Sequence, residues 1–239
     1  MTDTTQYFGF DVWEMKQTMF FITGTDTSVG KTVLTVLLAR YLRRRGVRAA
    51  ALKPICSGVR DDARALCAVL SGVLSLDEIN PWHFRAPIAP LLAARREKKR
   101  VALADVVAHV RTMQKRFNVV LIEGAGGLLS PLGGSFNSRD LIVALRATPI
   151  VVCPNRLGAV NQMLLTLEAL PCSAMAKARV VLMSPSGLDS STGTNAGLLA
   201  EFFDAKKVFS LPWLGGNFNA VRALKNPRVE QTLRALAQE

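Results

Sequence analysis

Gly24-Thr25-Asp26-Thr27-Ser28-Val29-Gly30-Lys31-Thr32 is the stretch that decides the fold. It follows a short apolar run, residues 19–23, and opens a segment with helical periodicity. A glycine-bearing loop between a buried strand and a helix gathers backbone N–H groups at the helix N-terminus, where they favour an anion. A lysine and a hydroxyl residue closing such a loop add a cation for phosphate oxygens and a ligand for Mg²⁺. The stretch therefore reads as a phosphate-binding loop (P-loop), although Gly24 and Gly30 enclose five residues where the strict pattern has four.

Outward from this loop, strand and helix patterns alternate to the end of the chain. Residues 31–45 place Val33, Leu34, Leu37, Leu38, Tyr41 and Leu42 on one side of a helix, and Gly46 can end it. Residues 47–53 read as a buried strand stopped by Pro54, and residues 61–70 as a helix that Asp61 or Asp62 can cap. The proline- and aromatic-rich residues 76–90 read as an ordered loop. Further helices are predicted over 103–116, 139–146 (capped by Ser138), 158–170, 194–203 and 227–237. Further strands are predicted over 119–122, 149–153, 179–183 and 208–211. Short apolar strands separated by helices imply a three-layer α/β fold of the P-loop NTPase kind, a mostly parallel sheet with helices on both faces. Residues 19–239 are expected to form a single domain, with residues 1–18 a loose extension.

Composition narrows the function classes. No uncharged apolar run reaches the about 18 residues of a membrane span. Residues 1–18 hold Asp3, Asp11 and Glu14 and lack an apolar signal core. Cys56, Cys67, Cys153 and Cys172 form no CxxC pair or metal-ligand spacing, as expected of reduced thiols in the cytoplasm. The net charge of +12 permits anionic partners. Its clusters, Arg40-Arg43-Arg44-Arg45-Arg48 and Arg95-Arg96-Lys98-Lys99-Arg100, carry no interleaved aromatic residues. They read as solvated surface, and neither a nucleic-acid nor a membrane partner is expected.

Two further motifs leave strand ends. Glu123 closes a strand and is followed by Gly124-Ala125-Gly126-Gly127, so a carboxylate stands beside the P-loop where Mg²⁺ can be held. Lys53-Pro54-Ile55-Cys56-Ser57-Gly58 puts a lysine at another strand end facing the same crevice, suited to an anion forming on a substrate. His83 and His109 form no cluster and read as structural or exposed.

Together these residues resemble the dethiobiotin synthetase family. The specific marks are residues 24–32, 53–58, Asp62-Ala63, Asn80-Pro81-Trp82-His83-Phe84, 123–127, Leu157-Gly158-Ala159-Val160-Asn161 and Pro212-Trp213-Leu214. The five-residue glycine spacing is this family's own variant. The resemblance implies an ATP-dependent cyclo-ligase that joins 7,8-diaminononanoate and CO₂ into the cyclic urea of dethiobiotin, through a carbamate and its phosphoric anhydride, leaving ADP and phosphate. It implies catalytic roles for Lys31 and Lys53, and Mg²⁺ on Thr32, Asp62 and Glu123. It implies nucleotide contacts from Ser28, Val29, Gly30, Lys31, Thr32, Val33, Asp62, Glu123, Gly124, Ala125, Gly126, Ser184, Pro185, Pro212, Trp213 and Leu214. Substrate contacts are implied for Thr27, Lys53, Ser57, Gly126, Gly127 and the helix start at Leu157, Gly158, Ala159, Val160 and Asn161, which in a homodimer serves the other chain's site. Where family members carry an asparagine that reads adenine, this chain has Met183-Ser184-Pro185, which predicts weak base selection. Two alternatives are a related P-loop synthetase of another pathway and a nucleotide-switched scaffold ATPase. The latter commonly carries an extra lysine early in the loop, where Thr25, Asp26 and Thr27 stand here.

Overall fold

The computed structural model describes residues 17–187 and 189–238; residues 1–16, which hold most of the expected extension, lie outside them. The first strand, β1 (Thr18–Gly24), is buried along its whole length, as an apolar strand covered on both faces must be. It runs into the P-loop and then α1 (Lys31–Arg44). Next come β2 (Ala49–Leu52), β3 (Ile55–Ser57), α2 (Asp61–Leu70), α3 (Leu76–Ile79) and β4 (Trp82–Phe84). Then follow α4 (Pro90–Arg96), α5 (Leu103–Arg116), β5 (Val119–Glu123), β6 (Pro131–Gly133), β7 (Phe136–Asn137) and α6 (Ser138–Leu145). The chain continues through β8 (Thr148–Pro154), α7 (Ala159–Glu168), α8 (Cys172–Met175), β9 (Arg179–Met183) and α9 (Asn195–Phe202). It ends with β10 (Val208–Leu211), α10 (Ala220–Ala223) and α11 (Pro227–Ala237).

Six strands form one parallel sheet in the order β10-β9-β8-β1-β5-β2. Helix α1 packs on β1, β2 and β5 with α2 and α11 beside it, while α5 and α6 pack on β5 and β1. Both faces are thus covered, and the core is the aliphatic filling around Phe20, Phe21, Ile22, Leu121 and Ile122, all fully buried. Because every strand is parallel, the loops after β1, β2 and β5 leave the same edge. Pairing of Ile22 with Glu123 and of Leu52 with Ile122 sets those three ends level. At the opposite edge the buried Arg179 donates to the carbonyls of Leu236 and Gln238 and lies over the Phe20 ring, tying the last helix to the sheet.

Three local expectations are corrected. Residues 76–90 are not one loop. Ser75 and Glu78 close a reciprocal capping box that nucleates α3, and Pro90 takes the first turn of α4, where its fixed φ suits a helix start. Between them β4 pairs in parallel with β3, outside the main sheet. The strand expected over 47–53 is shorter, because the Val47 amide still bonds the Leu42 carbonyl beyond the α1 end. The cap of α6 is Asn137, not Ser138. The Asn137 side chain accepts from the Asp140 amide at 3.3 Å, and the Asp140 carboxylate accepts from the Asn137 amide at 2.9 Å. The buried Ser138 hydroxyl has no partner among the described residues.

That contrast is measurable by urea denaturation. Asn137→Ala should lower the unfolding free energy by about 1 kcal/mol with an unchanged m-value. Ser138→Ala, which removes an unpaired buried hydroxyl, should change it by less than about 0.5 kcal/mol.

Candidate active site

The P-loop is built on two close approaches. A Cβ on Gly24 would lie 2.5 Å from Val29 Cγ2 and 3.1 Å from the Val152 carbonyl oxygen, so the loop can fold back on the β8 edge only with glycine there. Gly30 caps α1 at φ 101°, a left-handed conformation that L side chains rarely adopt, and its carbonyl accepts the first helical bond from the Leu34 amide. Ser28 takes a left-handed turn as well, φ 59°. Val29 is buried under the loop.

Four charged side chains and one hydroxyl meet where β1, β2 and β5 end. Lys31 and Lys53 are each 6% exposed and Glu123 is 1% exposed. Lys53 Nζ donates to Glu123 Oε1 at 2.7 Å and to Asp62 Oδ2 at 2.5 Å. The Thr32 hydroxyl donates to the same Glu123 Oε1 at 2.8 Å. Lys31 turns away from both carboxylates and donates to the Asp26 carbonyl oxygen at 2.6 Å. Asp62 does not cap α2. Arg60 occupies that position, and Asp62, in the first turn, reaches across to Lys53.

The two lysines titrate in opposite directions. Burial strips water from Lys31 and the nearby Lys53 charge repels it. These effects draw its pKa down to about 8 against the weaker support of Glu123, Asp62 and Asp26. Burial also works against Lys53, but the attraction of Glu123 and Asp62 outweighs it and holds its pKa above the ordinary value. Burial opposes the charge of the half-exposed Asp62, and the Lys53 ammonium overcomes this and holds its carboxyl below the usual range.

A cavity of about 720 Å³ opens over this cluster. Thr27, Ser28, Gly30, Lys31, Thr32 and Val33 line one wall, and Lys53, Ser57, Asp62, Glu123, Ala125 and Gly126 line the others. Gly124 lies beneath, against Phe21 and Ser138, and Gly127 packs on the Thr25 carbonyl beside the loop. Sequence reasoning missed the wall formed by Val59 and residues 87–90. The proline pattern marked 87–90 as ordered, but only the pairing of β3 with β4 brings it over the cavity. The Ser57 hydroxyl secures that wall by donating to the Ile88 carbonyl at 2.6 Å.

The donor set suits a hard divalent cation. Thr32, Asp62 and Glu123 offer oxygen only, and Glu123 Oε2 is a buried carboxylate oxygen with no hydrogen-bond partner among the described residues. Among the described residues no group of three or more histidine, cysteine or acidic side chains forms a cage. Mg²⁺ is typically held by one or two carboxylates with water and phosphate oxygens completing its shell, and these three oxygen donors would fit it.

The remaining sequence candidates lie outside this cavity. The Ser184 amide bonds the Leu211 carbonyl, joining the ends of β9 and β10, and Pro185 is the next residue along the chain. Pro212 and Leu214 are half-buried beyond β10, and Trp213 is exposed. Met183, which the sequence marked only as part of the segment facing the base, packs over the P-loop, its Cγ 3.1 Å from where a Gly30 Cβ would stand. Leu157, Gly158, Ala159, Val160 and Asn161 form the start of α7 on the far side of the P-loop. There the Leu157 amide donates to Asp189 Oδ2 at 2.7 Å and the Ala159 amide to the Arg156 carbonyl at 3.0 Å.

A parallel sheet with this loop after its central strand defines a P-loop nucleoside-triphosphatase fold. A family model described as an AAA domain matches residues 18–220. The crystal structure of a ParA family ATPase from Chlorobium tepidum has the same fold, with a TM-score of 0.57, 9% identity, and coverage of 93% of this chain and 100% of its own. Closer relatives come from sequence. The chain is 39% identical to the ATP-dependent dethiobiotin synthetase BioD of Anaeromyxobacter dehalogenans strain 2CP-C over 85% of this chain and 94% of that one. It is 43% identical to the same enzyme of Anaeromyxobacter sp. Fw109-5 over 68% of this chain and 74% of that one. The chain belongs to the dethiobiotin synthetase family.

The Lys31 shift fixes a sign. Its folded pKa lies below its unfolded value of about 10.5, so the folded state resists the charge below pH 8 and is relieved as pH rises from 8 to 10.5. Lys31→Met, which removes the buried charge together with its bond to the Asp26 carbonyl, should therefore stabilise the ligand-free protein at pH 7. Urea denaturation across pH 7 to 10 should show that gain shrinking as the pH rises.

Proposed function

We propose that the protein is a dethiobiotin synthetase, closing 7,8-diaminononanoate and CO₂ into a cyclic urea with ATP. The observation that carries this reading is the pair of buried lysines in one cavity. Lys53 is compensated by carboxylates, and Lys31 is held at a carbonyl with its charge under-compensated. A site for a neutral ligand has no use for the second cation; a triphosphate beside a carbamate uses both.

In this reading the P-loop amides of residues 28–33 and Lys31 hold the β- and γ-phosphates. Thr32, Asp62 and Glu123 hold Mg²⁺, whose contribution is charge neutralisation at the phosphates. One amine of the diamine adds to CO₂ and loses a proton, giving an N-carboxylate. Its oxygen attacks the γ-phosphorus, and ADP leaves. The second amine attacks the carbonyl carbon of the mixed anhydride, phosphate leaves, and the urea ring closes with loss of a proton. Each intermediate is anionic, and the Lys53 ammonium stands where it can neutralise the carbamate and its phosphorylated form. Ser57, Thr27, Gly126 and Gly127 border the path for the diamine. A homodimer completes the site. Leu157 and Leu165 on and before α7 are 76% and 63% exposed, an apolar surface suited to a second copy. The α7 start would there receive the carboxylate end of the substrate bound by the partner. With all four cysteines free, the enzyme is suited to the reducing cytoplasm.

Incubation with diaminononanoate, bicarbonate and Mg-ATP should yield dethiobiotin by mass, with ADP release dependent on both co-substrates. Lys53→Ala should lower kcat by roughly 100-fold. A near-normal kcat removes Lys53 from the mechanism, and ADP release indifferent to the diamine removes the reaction.

Base selection should be weak. Met183 offers no side-chain amide, Ser184 has one hydroxyl and its backbone amide is bonded to the Leu211 carbonyl, and Pro185 has no N–H. With the triphosphate groups carrying the affinity, kcat/KM for CTP, GTP and UTP should lie within about tenfold of that for ATP, ~1.4 kcal/mol or less. A preference for ATP above about a hundredfold contradicts this reading.

A further inference from the structure

The run Asn80-Pro81-Trp82-His83-Phe84 contributes no group to the cavity, yet its first residue is bonded to the site's backbone. Asn80 is 1% exposed. Its Nδ2 donates to the Lys53 carbonyl at 2.7 Å and more weakly to the Pro54 carbonyl at 3.4 Å. Its Oδ1 accepts from Arg60 Nε at 3.0 Å and from the Cys56 thiol at 3.1 Å. Carbonyl oxygens require a donor and Nε–H requires an acceptor, so the amide has one workable orientation.

Both ends of this contact lead to the chemistry. The neighbouring Ile79 carbonyl accepts from the Lys53 amide at 3.0 Å, so residue 53 is gripped through its N–H and its C=O together. Arg60 is the residue before α2, and its own carbonyl starts that helix by accepting from the Arg64 amide at 2.9 Å. The Arg60 guanidinium also donates to the Asn80 carbonyl at 2.8 Å and to Asp77 at 2.9 Å. Asp62 is the second residue of α2. One buried amide therefore joins the backbone that carries Lys53 to the helix that carries Asp62.

We infer that Asn80, with Arg60, is a positioning residue that fixes Lys53 between Asp62 and Glu123. The inference rests on the proposed catalytic role of Lys53. Neither Asn80 nor Arg60 lines the cavity. Their effect runs through the Lys53 backbone and the α2 start, and a displacement near 1 Å at a reacting group costs on the order of 100-fold in rate. Neither Asn80 nor Arg60 bonds a P-loop residue among the described residues, and Thr32 meets the network only at its far end, through Glu123 and Asp62, so nucleotide binding should change less than catalysis.

The test compares Asn80→Ala, Asn80→Asp and Arg60→Gln with Val229→Ala, a core truncation in α11 remote from the site. Asn80→Asp keeps an acceptor for Arg60 but sets its second oxygen against two carbonyl oxygens. Measured well below every Tm, the three network variants should lose about tenfold or more in kcat with KM for ATP within about twofold of wild type. Val229→Ala should keep kcat within about twofold despite its lower Tm. Crystals of Asn80→Asp should show Lys53 Nζ out of hydrogen-bond reach of Asp62 or Glu123. The inference is overturned if Asn80→Ala and Asn80→Asp keep kcat within twofold, if Val229→Ala loses as much, or if ATP affinity falls together with kcat. Lys53 Nζ unmoved in the crystal overturns it too. A wild-type protein that makes no dethiobiotin sinks the functional reading alone, and the crystal position of Lys53 then judges the positioning.

Discussion

The bond from the Lys53 ammonium to the buried Glu123 carboxylate is the constraint on which the site depends. A buried carboxylate without a counter-charge is costly, and so is a buried ammonium. Glu123 is wedged at the end of β5, which lies between β1 and β2, with Lys53 leaving β2 on one side and Thr32 opening α1 on the other. Satisfying Glu123 Oε1 therefore draws three loops together, and Asp62 closes the fourth side. The arrangement leaves Lys31 as a second buried cation, bonded to the Asp26 carbonyl and in an ion pair with no carboxylate among the described residues. Burial and the neighbouring Lys53 charge hold its pKa down to about 8.

That convergence follows from the sheet. A parallel sheet delivers all its carboxyl ends to one edge, and β1 lies between β5 and β8. The P-loop thus has the Glu123 loop on one flank and the β8–α7 loop on the other. The two flanks differ in character. The β5 side is charged and enclosed by residues 87–90. The β8 side is open and carries the exposed Leu157 and Leu165 beside the anchored Asp189. Fold neighbours such as the ParA ATPase share the sheet, but at 9% identity they speak to architecture alone.

The main strands and helices were legible because burial on both faces leaves near-continuous apolar runs such as Phe20-Phe21-Ile22 and Val119 to Ile122. The cavity-lining set Lys31, Thr32, Lys53, Asp62 and Glu123 was legible because each follows a strand end or opens a helix, places where parallel topology allows few destinations. Less was legible where structure depends on tertiary pairing. The β3–β4 ladder joins two three-residue strands too short to show alternation, so residues 76–90 read as loop. The cap at Asn137 competed with an adjacent serine of equal intrinsic preference, and the reciprocal bond with Asp140 decided it. Asn80 was visible only as part of a family mark, since nothing in its sequence neighbourhood shows that it reaches back to Lys53. The contact of Met183 with Gly30 joins β9 to the P-loop across the sheet and leaves no local signal.

The central claim is that a carbamate oxygen, not water, accepts the γ-phosphoryl group beside Lys53. Carrying out the reaction with ¹⁸O-labelled CO₂ in unlabelled water, over a time short against exchange of the label, tests it directly. When the carbamate attacks phosphorus and the second amine then expels phosphate, one oxygen of CO₂ leaves on each phosphate formed. The account predicts inorganic phosphate carrying one ¹⁸O for every dethiobiotin produced, read by ³¹P isotope shift. Phosphate free of ¹⁸O alongside dethiobiotin that carries ¹⁸O in its urea carbonyl would contradict it.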